Sequence, residues 1–471
     1  LRFSSFDENC LYRWYYYIYY STELSSVNIL EPFVLQAKLT PFRGHVMMGS
    51  VKERRIHNYL RFLAILIFYL VLASCGGSGG GGEGGEDGGG SACGVVTAVG
   101  PQTATPAVSA GNFHTVALRR DGTVWTWGEN KDGQLGIGST SDCSTPAQVT
   151  GLTDVNRIAA GYRHTLALKS DGTVWAWGDN SDGQLGDGTT TDQTSPVPVK
   201  DPNDPTGFLT GVTAIAAGES HTLALKSNGT VWAWGFNAYG QLGNGSLSST
   251  PTLQPVQVLD LNDAVAIAAG KIHSVVLRGN GSVLAWGFNA DGRLGNGSLT
   301  GGPEFGETTP VPVMSLTAVV ALVAGDGHNL ALQNGEVWSW GKNNKGQLGN
   351  GTTDTRIVPG PVSNLTDVSA VAAGFNHSLA VKIGGTAWAW GDNFLGQLGV
   401  GITTGDPQTT PVQVASLIGI IAIAGGGNHS VALKGDGTVW AWGDNQSGQL
   451  GIGTASQTSS PSPVQVIDLT L

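Results

Sequence analysis

Downstream of a glycine-rich stretch, apolar and polar positions alternate in short runs, and the same runs keep returning. In "HTLALKS" (164–170), His164, Leu166 and Leu168 fall on one face of an extended strand, with Thr165 and Ala167 on the other. In "TVWAWG" (173–178), Trp175 and Trp177 share a face opposite Val174 and Ala176. Asp171-Gly172 separates the two runs. The equivalent pairs are Asp121-Gly122, Asn228-Gly229, Asn280-Gly281, Asn334-Gly335, Gly384-Gly385 and Asp436-Gly437. Such pairs tolerate positive φ at both positions, so each copy predicts a β-hairpin with a tight type I′ turn.

The histidines that open these hairpins are His114, His164, His221, His273, His328, His377 and His429, spaced 49 to 57 residues apart. After each hairpin comes a "GxNxxGQLGxG" loop, then a proline-led apolar run such as "TPAQV" or "SPVPV", then "IAAG" before the next histidine. That is room for four short strands per unit. A sheet so small cannot bury its faces alone, so the units must stack. Seven such units predict an all-β, seven-bladed propeller of four-stranded antiparallel blades. The chain ends in "SSPSPVQVIDLTL", which matches "TTPVQV" (409–414). Pairing of N- and C-terminal strands in one blade is therefore the expected closure of the ring.

The combination "AGxxHTLALxxDGTVWAWGxNxxGQLG" resembles the regulator of chromosome condensation repeat family over residues 95–471. The resemblance implies a seven-bladed propeller, in agreement with the count. The fourth copy departs most, with Leu284 for the first Trp and Arg293 for Gln. Some members of that family exchange nucleotide on a small GTPase through a projecting wedge. Here only "DPNDPTGF" and "TGGPEFGE" are inserted, so that activity is not expected. Members that sense ultraviolet-B light use tryptophan in a Gly-Trp-Arg-His-Thr motif. The matching stretch here is "GYRHT" with Tyr162, which argues against photoreception.

The region ahead of the repeats divides into three. Residues 1–46, including "LYRWYYYIYY", carry no repeat character and are expected to be translated upstream sequence or disordered. Residues 47–75 join a basic stretch, "GSVKERRIHNYLR", to the apolar "FLAILIFYLVLA", as in a signal peptide. The segment ends Leu72-Ala73-Ser74-Cys75, which resembles a bacterial lipobox and implies lipidation of Cys75. Residues 76–94 form a Gly-rich tether with a reach on the order of 20–25 Å. The expected location is the cell envelope, extracytoplasmic (periplasmic or cell surface), with the membrane touched only through the lipid. An oxidising compartment would allow Cys93 and Cys143 to pair across a loop of about 50 residues, worth up to roughly 4 kcal/mol.

Beyond Cys75 the chain has 16 basic and 30 acidic residues, a net charge of −14. With no basic stripe, nucleic acid is not an expected partner. The seven histidines could suggest a metal ring, but each opens the same local motif and is expected to be structural; no HExxH or paired Cys/His spacing is present. "DNSDGQLGDG" fails the calcium-loop pattern at Gly183. No nucleophile elbow or phosphate loop is found. Neither metal nor cofactor is expected, and enzymatic activity is the less favoured reading.

Antiparallel pairing places each "GxxH" loop beside its "NxxGQLG" loop on one face of the disc and the Asp-Gly turns on the other. The variable positions of that loop face hold Phe113, Tyr162, Ile272 and Phe375, then Phe236, Tyr239, Phe288, Phe394 and Leu395. Exposed aromatics on one rim are the candidate docking site for another protein; the competing role for these side chains is to cover the blade ends. A monomeric, lipid-anchored binding module is expected. The alternative is an enzyme or carbohydrate-binding propeller acting on an extracellular or cell-wall polymer, which convergent carboxylates at the channel mouth would favour.

Overall fold

The structure, a computed structural model, describes residues 104–471 apart from 202, 300–305 and 457. Residues 1–46, the 47–75 leader with Cys75, and the 76–94 tether with Cys93 lie outside the described residues. Among the described residues, twenty-eight strands form seven four-stranded sheets. The blades span 107–148, 155–198, 212–257, 264–312, 319–361, 368–413 and 420–470. In every blade the strands follow one another from the ring axis outward, with antiparallel pairing throughout. The all-β propeller expected from the repeat is the observed fold.

The alternation read from the sequence is the packing. In blade 2, Leu166, Leu168, Val174 and Ala176 bury against Ala224 and Trp234 of blade 3. The other face of blade 2 sends Ala167 and Trp177 against Val116, Leu118 and Val124 of blade 1. The same aliphatic-to-tryptophan contact repeats around the disc, so the core is a set of wedges between blades rather than one central mass.

Two expectations are corrected. Among the described residues the N- and C-terminal strands do not pair to close the ring. The last strand (Ser460–Thr470) is the outer strand of blade 7, and the first (Ala107–Ala110) is the inner strand of blade 1. The proline-led run closes a blade instead of opening it. A circular repeat has no intrinsic starting point, so its phase was open. Closure uses the contacts of any other junction: Gly427 N–H donates to Gly111 O at 3.0 Å, and Gly453 N–H to Ser144 O at 2.9 Å.

The second correction concerns the hairpins. Of the Asp and Asn residues at the first turn position, only Asn334 has positive φ (54°), in the one copy whose loop is two residues long. In blade 1, Gly122 N–H donates to Arg119 O and Arg119 N–H to Thr123 O, a three-residue loop with glycine in the left-handed region. Asp121 instead accepts from Thr123 N–H and Oγ1 at 3.0 and 2.6 Å. The Asp-Gly pair thus reflects an Asx turn followed by a glycine bulge.

Candidate protein-docking face

Each blade junction is held by a four-part hydrogen-bonded clasp. Thr165 Oγ1 of blade 2 donates to the main-chain carbonyl of Gln134 in blade 1 at 2.8 Å. Trp177 Nε1 donates to the same carbonyl at 3.0 Å. Because the hydroxyl proton is committed, Thr165 Oγ1 accepts from His114 Nε2 at 2.9 Å, which assigns the Nε2–H tautomer. The clasp recurs at all seven junctions, ending with His429 on Thr115 and Trp127 on Gln449 O. Blade 4 departs in sequence and keeps the chemistry. Arg293 supplies the carbonyl to Asn329 Nδ2 and Trp340 Nε1, and Asn329 Oδ1 accepts from His273 at 2.9 Å. All seven imidazoles are completely buried and committed to this scaffold role.

The loops beyond the third strand are fixed as tightly. Asn180 Oδ1 accepts from Leu185 N–H at 3.0 Å and its Nδ2 donates to Thr189 O at 3.1 Å. Gln184 Oε1 accepts from Asp182 N–H at 2.9 Å. The motif residues therefore hold the loop, and the positions between them are left to project. The strand register, His164 opposite Gly178, puts the two loop sets on one face as expected.

On that face the aromatic side chains form two groups. Phe236, Tyr239 and Phe288 make a chain of edge contacts across blades 3 and 4, with ring centroids 6.1 and 5.0 Å apart. The guanidinium of Arg293 lies 4.9 Å from the Phe288 ring. Ile272 joins this group through the strand end, where its carbonyl accepts from Phe288 N–H at 3.0 Å. Tyr162 of blade 2 and Phe375 of blade 6 stack at 5.2 Å, joining non-adjacent blades at the channel mouth. Phe113 and Leu395 are half-buried and outside both groups, and Phe394 is 66% exposed.

Charged residues share the mouth. Lys271 Nζ lies 3.4 Å from Glu219 and 4.0 Å from Asp326, and Lys342 lies 3.6 Å from Asp326. Burial pushes the Glu219 carboxyl up, and Lys271 opposes the shift. The two carboxylates that converge here are thus bridged by a lysine. With the Ala-Gly pairs of successive blades they line a cavity of about 100 Å³. A second cavity of about 540 Å³ is lined by residues at the turn-side ends of inner strands, such as Thr105, Asn156, Arg157, Thr213 and Ile215.

Sequence reading missed the lysine-bridged carboxylates and the Arg293–Phe288 contact, because both join copies far apart in the chain. It also named no apolar residue on the turn face. Ile383, Ile418, Ile421 and Val265 are 55–73% exposed there. The signal was the "LIGII" run at 417–421, where other copies place Asn156, Thr213 or Ser369 at the second position of the inner strand. Cys143 is buried at the start of an outer strand and is disulfide-bonded.

These features define a seven-bladed propeller whose junctions are clasped by a repeated His–Thr/Ser–carbonyl–Trp unit and whose variability lies in the loops of one face. The RCC1-like domain model matches residues 72–259 and 207–470, and the chain belongs to that family. It is 31% identical to the Arabidopsis thaliana ultraviolet-B receptor UVR8 over 367 residues, covering 77% of this chain and 70% of the receptor. It is 36% identical to the probable human E3 ubiquitin-protein ligase HERC6 over 264 residues, 54% of this chain but only 25% of the ligase. Among solved structures, yeast RCC1 (Prp20) bound to Kap60 superposes with a TM-score of 0.67 at 23% identity, covering 74% of this chain and 85% of that one. Human WBSCR16 superposes with a TM-score of 0.64 at 24% identity, covering 74% and 94%.

Proposed function

We propose that this chain is an extracytoplasmic, lipid-anchored propeller whose loop face binds another protein. The carrying observation is the half-exposed chain Phe236–Tyr239–Phe288 beside a mouth closed by the Tyr162–Phe375 stack. The cavity of about 100 Å³ at the mouth is well short of the roughly 300 Å³ at which small-molecule pockets begin. An aromatic rim around so small a cavity fits a protein surface better than a substrate. The wider turn-side cavity is large enough for a small ligand, but its described lining holds no carboxylate, histidine or cysteine. Yeast RCC1 (Prp20) is seen bound to Kap60, and a second study of Prp20p concerns its binding to Gsp1p and histones. Those precedents support a protein as the partner class.

Pull-down from the envelope fraction of the native source tests the docking reading. The protein should capture a partner that the Tyr239→Ser, Phe288→Ser, Phe394→Ser triple variant loses, both proteins melting at the same temperature. Capture by both alike would remove this face from consideration. The anchor has its own test, because diacylation adds acyl chains whose membrane affinity is about 0.8 kcal/mol per buried CH₂. Full-length protein should partition into the detergent phase and carry a lipid-sized mass increment, and Cys75→Ser should abolish both. An aqueous, unmodified wild-type protein would refute the anchor while leaving the docking face intact.

A further inference from the structure

The loop face carries a second asymmetry besides its aromatics. On blades 1 and 2, Glu129, Asp132, Asp142, Asp179, Asp182 and Asp192 are accompanied by only Lys131 and Arg163. These two cations are already used: Lys131 pairs with Glu129 at 2.9 Å and Arg163 with Asp132 at 3.2 Å. Elsewhere on the face Lys345 pairs with Asp392 at 3.6 Å, and Arg293 pairs with Asp291. The intramolecular cations are spent, while Asp179, Asp192 and Asp444 enter none of the ion pairs among the described residues.

The carboxylates also sense one another. Burial raises Asp132, and Asp179, Asp192 and Glu129 add to the shift while Arg163 opposes it. Burial raises Glu219 on blade 3, and Asp326 and Asp182 of blade 2 add to it while Lys271 opposes it. At the mouth Lys271 and Lys342 match Glu219 and Asp326, so the unbalanced negative field lies on blades 1 and 2. It borders the apolar ground of Phe236, Tyr239 and Phe288.

We infer that the occupant of this face is a basic protein segment that also presents a large apolar side chain. The apolar group sits on Tyr239 and Phe288 (blades 3 and 4), and lysines or arginines lie over the carboxylates of blades 1 and 2. This rests on the docking reading above and adds the chemistry of the partner to it. Nucleic acid and anionic lipid carry the wrong sign for the same surface. A surface of this composition would draw its partner in by charge and hold it by the aromatic contact.

Calorimetric titration of the full chain with short synthetic peptides tests the inference. The probes are a peptide alternating lysine and phenylalanine, one alternating glutamate and phenylalanine, and one alternating lysine and serine. The lysine–phenylalanine peptide should bind, weaken with added salt, and bind at least about tenfold better than either of the others. Asp179→Asn with Asp192→Asn should cost about tenfold, and so should Tyr239→Ser with Phe288→Ser. Ile383→Ser on the opposite face should cost nothing. Asparagine keeps the acceptor that Asp192 offers to Asn180 N–H, so the acidic variant is expected to fold. Binding of the glutamate peptide, lost in the aromatic variant and kept in the acidic one, would overturn the basic chemistry and leave docking standing. Lysine–phenylalanine binding that no loop-face variant changes would overturn both.

Discussion

Folding stability should collapse between pH 6.5 and pH 5, by roughly 10 kcal/mol at pH 5.5 relative to neutral. The seven clasp histidines are the cause. Desolvation lowers His114, His221, His328 and His429 to about 3 and His164 and His377 to about 4, from an ordinary 6.5, and lowers His273 as well. A lowered histidine is neutral when folded and takes up a proton only on unfolding. Acid therefore favours the unfolded chain from 6.5 downward until the folded value is reached. One unit below 6.5, each histidine costs about 1.4 kcal/mol, and seven together match the whole stability of a typical domain. Asp132, Asp192, Glu219 and Asp444 are shifted up by burial and act in the opposite sense. Their stabilising contribution grows as pH falls through the raised folded values toward 3.8 or 4.5, so it offsets part of the histidine loss.

Denaturant titrations at half-unit pH steps measure this directly, because the slope of stability against pH counts the protons taken up on unfolding. A slope equivalent to five or more protons near pH 5.5 is expected. Fewer than about two would mean that the imidazoles are not held neutral in the folded ring. His164→Gln should reduce the count by one while lowering stability at neutral pH. That single variant separates histidine titration from a general effect of net charge.

Much of the scaffold was legible in the sequence because its determinants are local and repeated seven times. Alternation fixed both faces of each hairpin and put Trp177 opposite Val174 and Ala176, on the face that packs against blade 1. Phase was not legible: the inner "IAAG" strand and the outer proline-led strand look equally like a beginning. The turn was misread because Asp-Gly serves a type I′ turn and an Asx turn with a glycine bulge alike; loop length, visible only from the register, decides between them. The site was legible only in part. Shared exposure on one face follows from antiparallel pairing, so the aromatic positions could be named. Tyr162 meeting Phe375 and Lys271 bridging Glu219 to Asp326 depend on how the ring curves. No local pattern carries that information.

The repeated "GQLG" separates residues that the fold needs for their backbone from those it needs for their side chains, and this yields the second large effect. In blade 2, Gly186 adopts φ +68°, and a Cβ there would lie 2.7 Å from Nε1 of the fully buried Trp234. That nitrogen is donating to Gln184 O at 2.9 Å, so Trp234 cannot retreat without losing its bond. Gly186→Ala combines left-handed backbone strain of about 1 kcal/mol with overpacking of 1–3 kcal/mol and the loss of a buried hydrogen bond. A destabilisation of about 3–4 kcal/mol is expected. Gln184→Ala should cost less than about 1.5 kcal/mol, although Gln recurs in six of the seven copies. Its carbonyl, which carries the clasp, survives the change, and blade 4 already uses Arg293 there with the same bonds intact. Its side chain contributes one bond, to Asp182 N–H. Chemical denaturation of the two variants side by side checks the ordering. Equal losses would mean that the glutamine side chain holds the loop, and that the junction is not carried by the carbonyl.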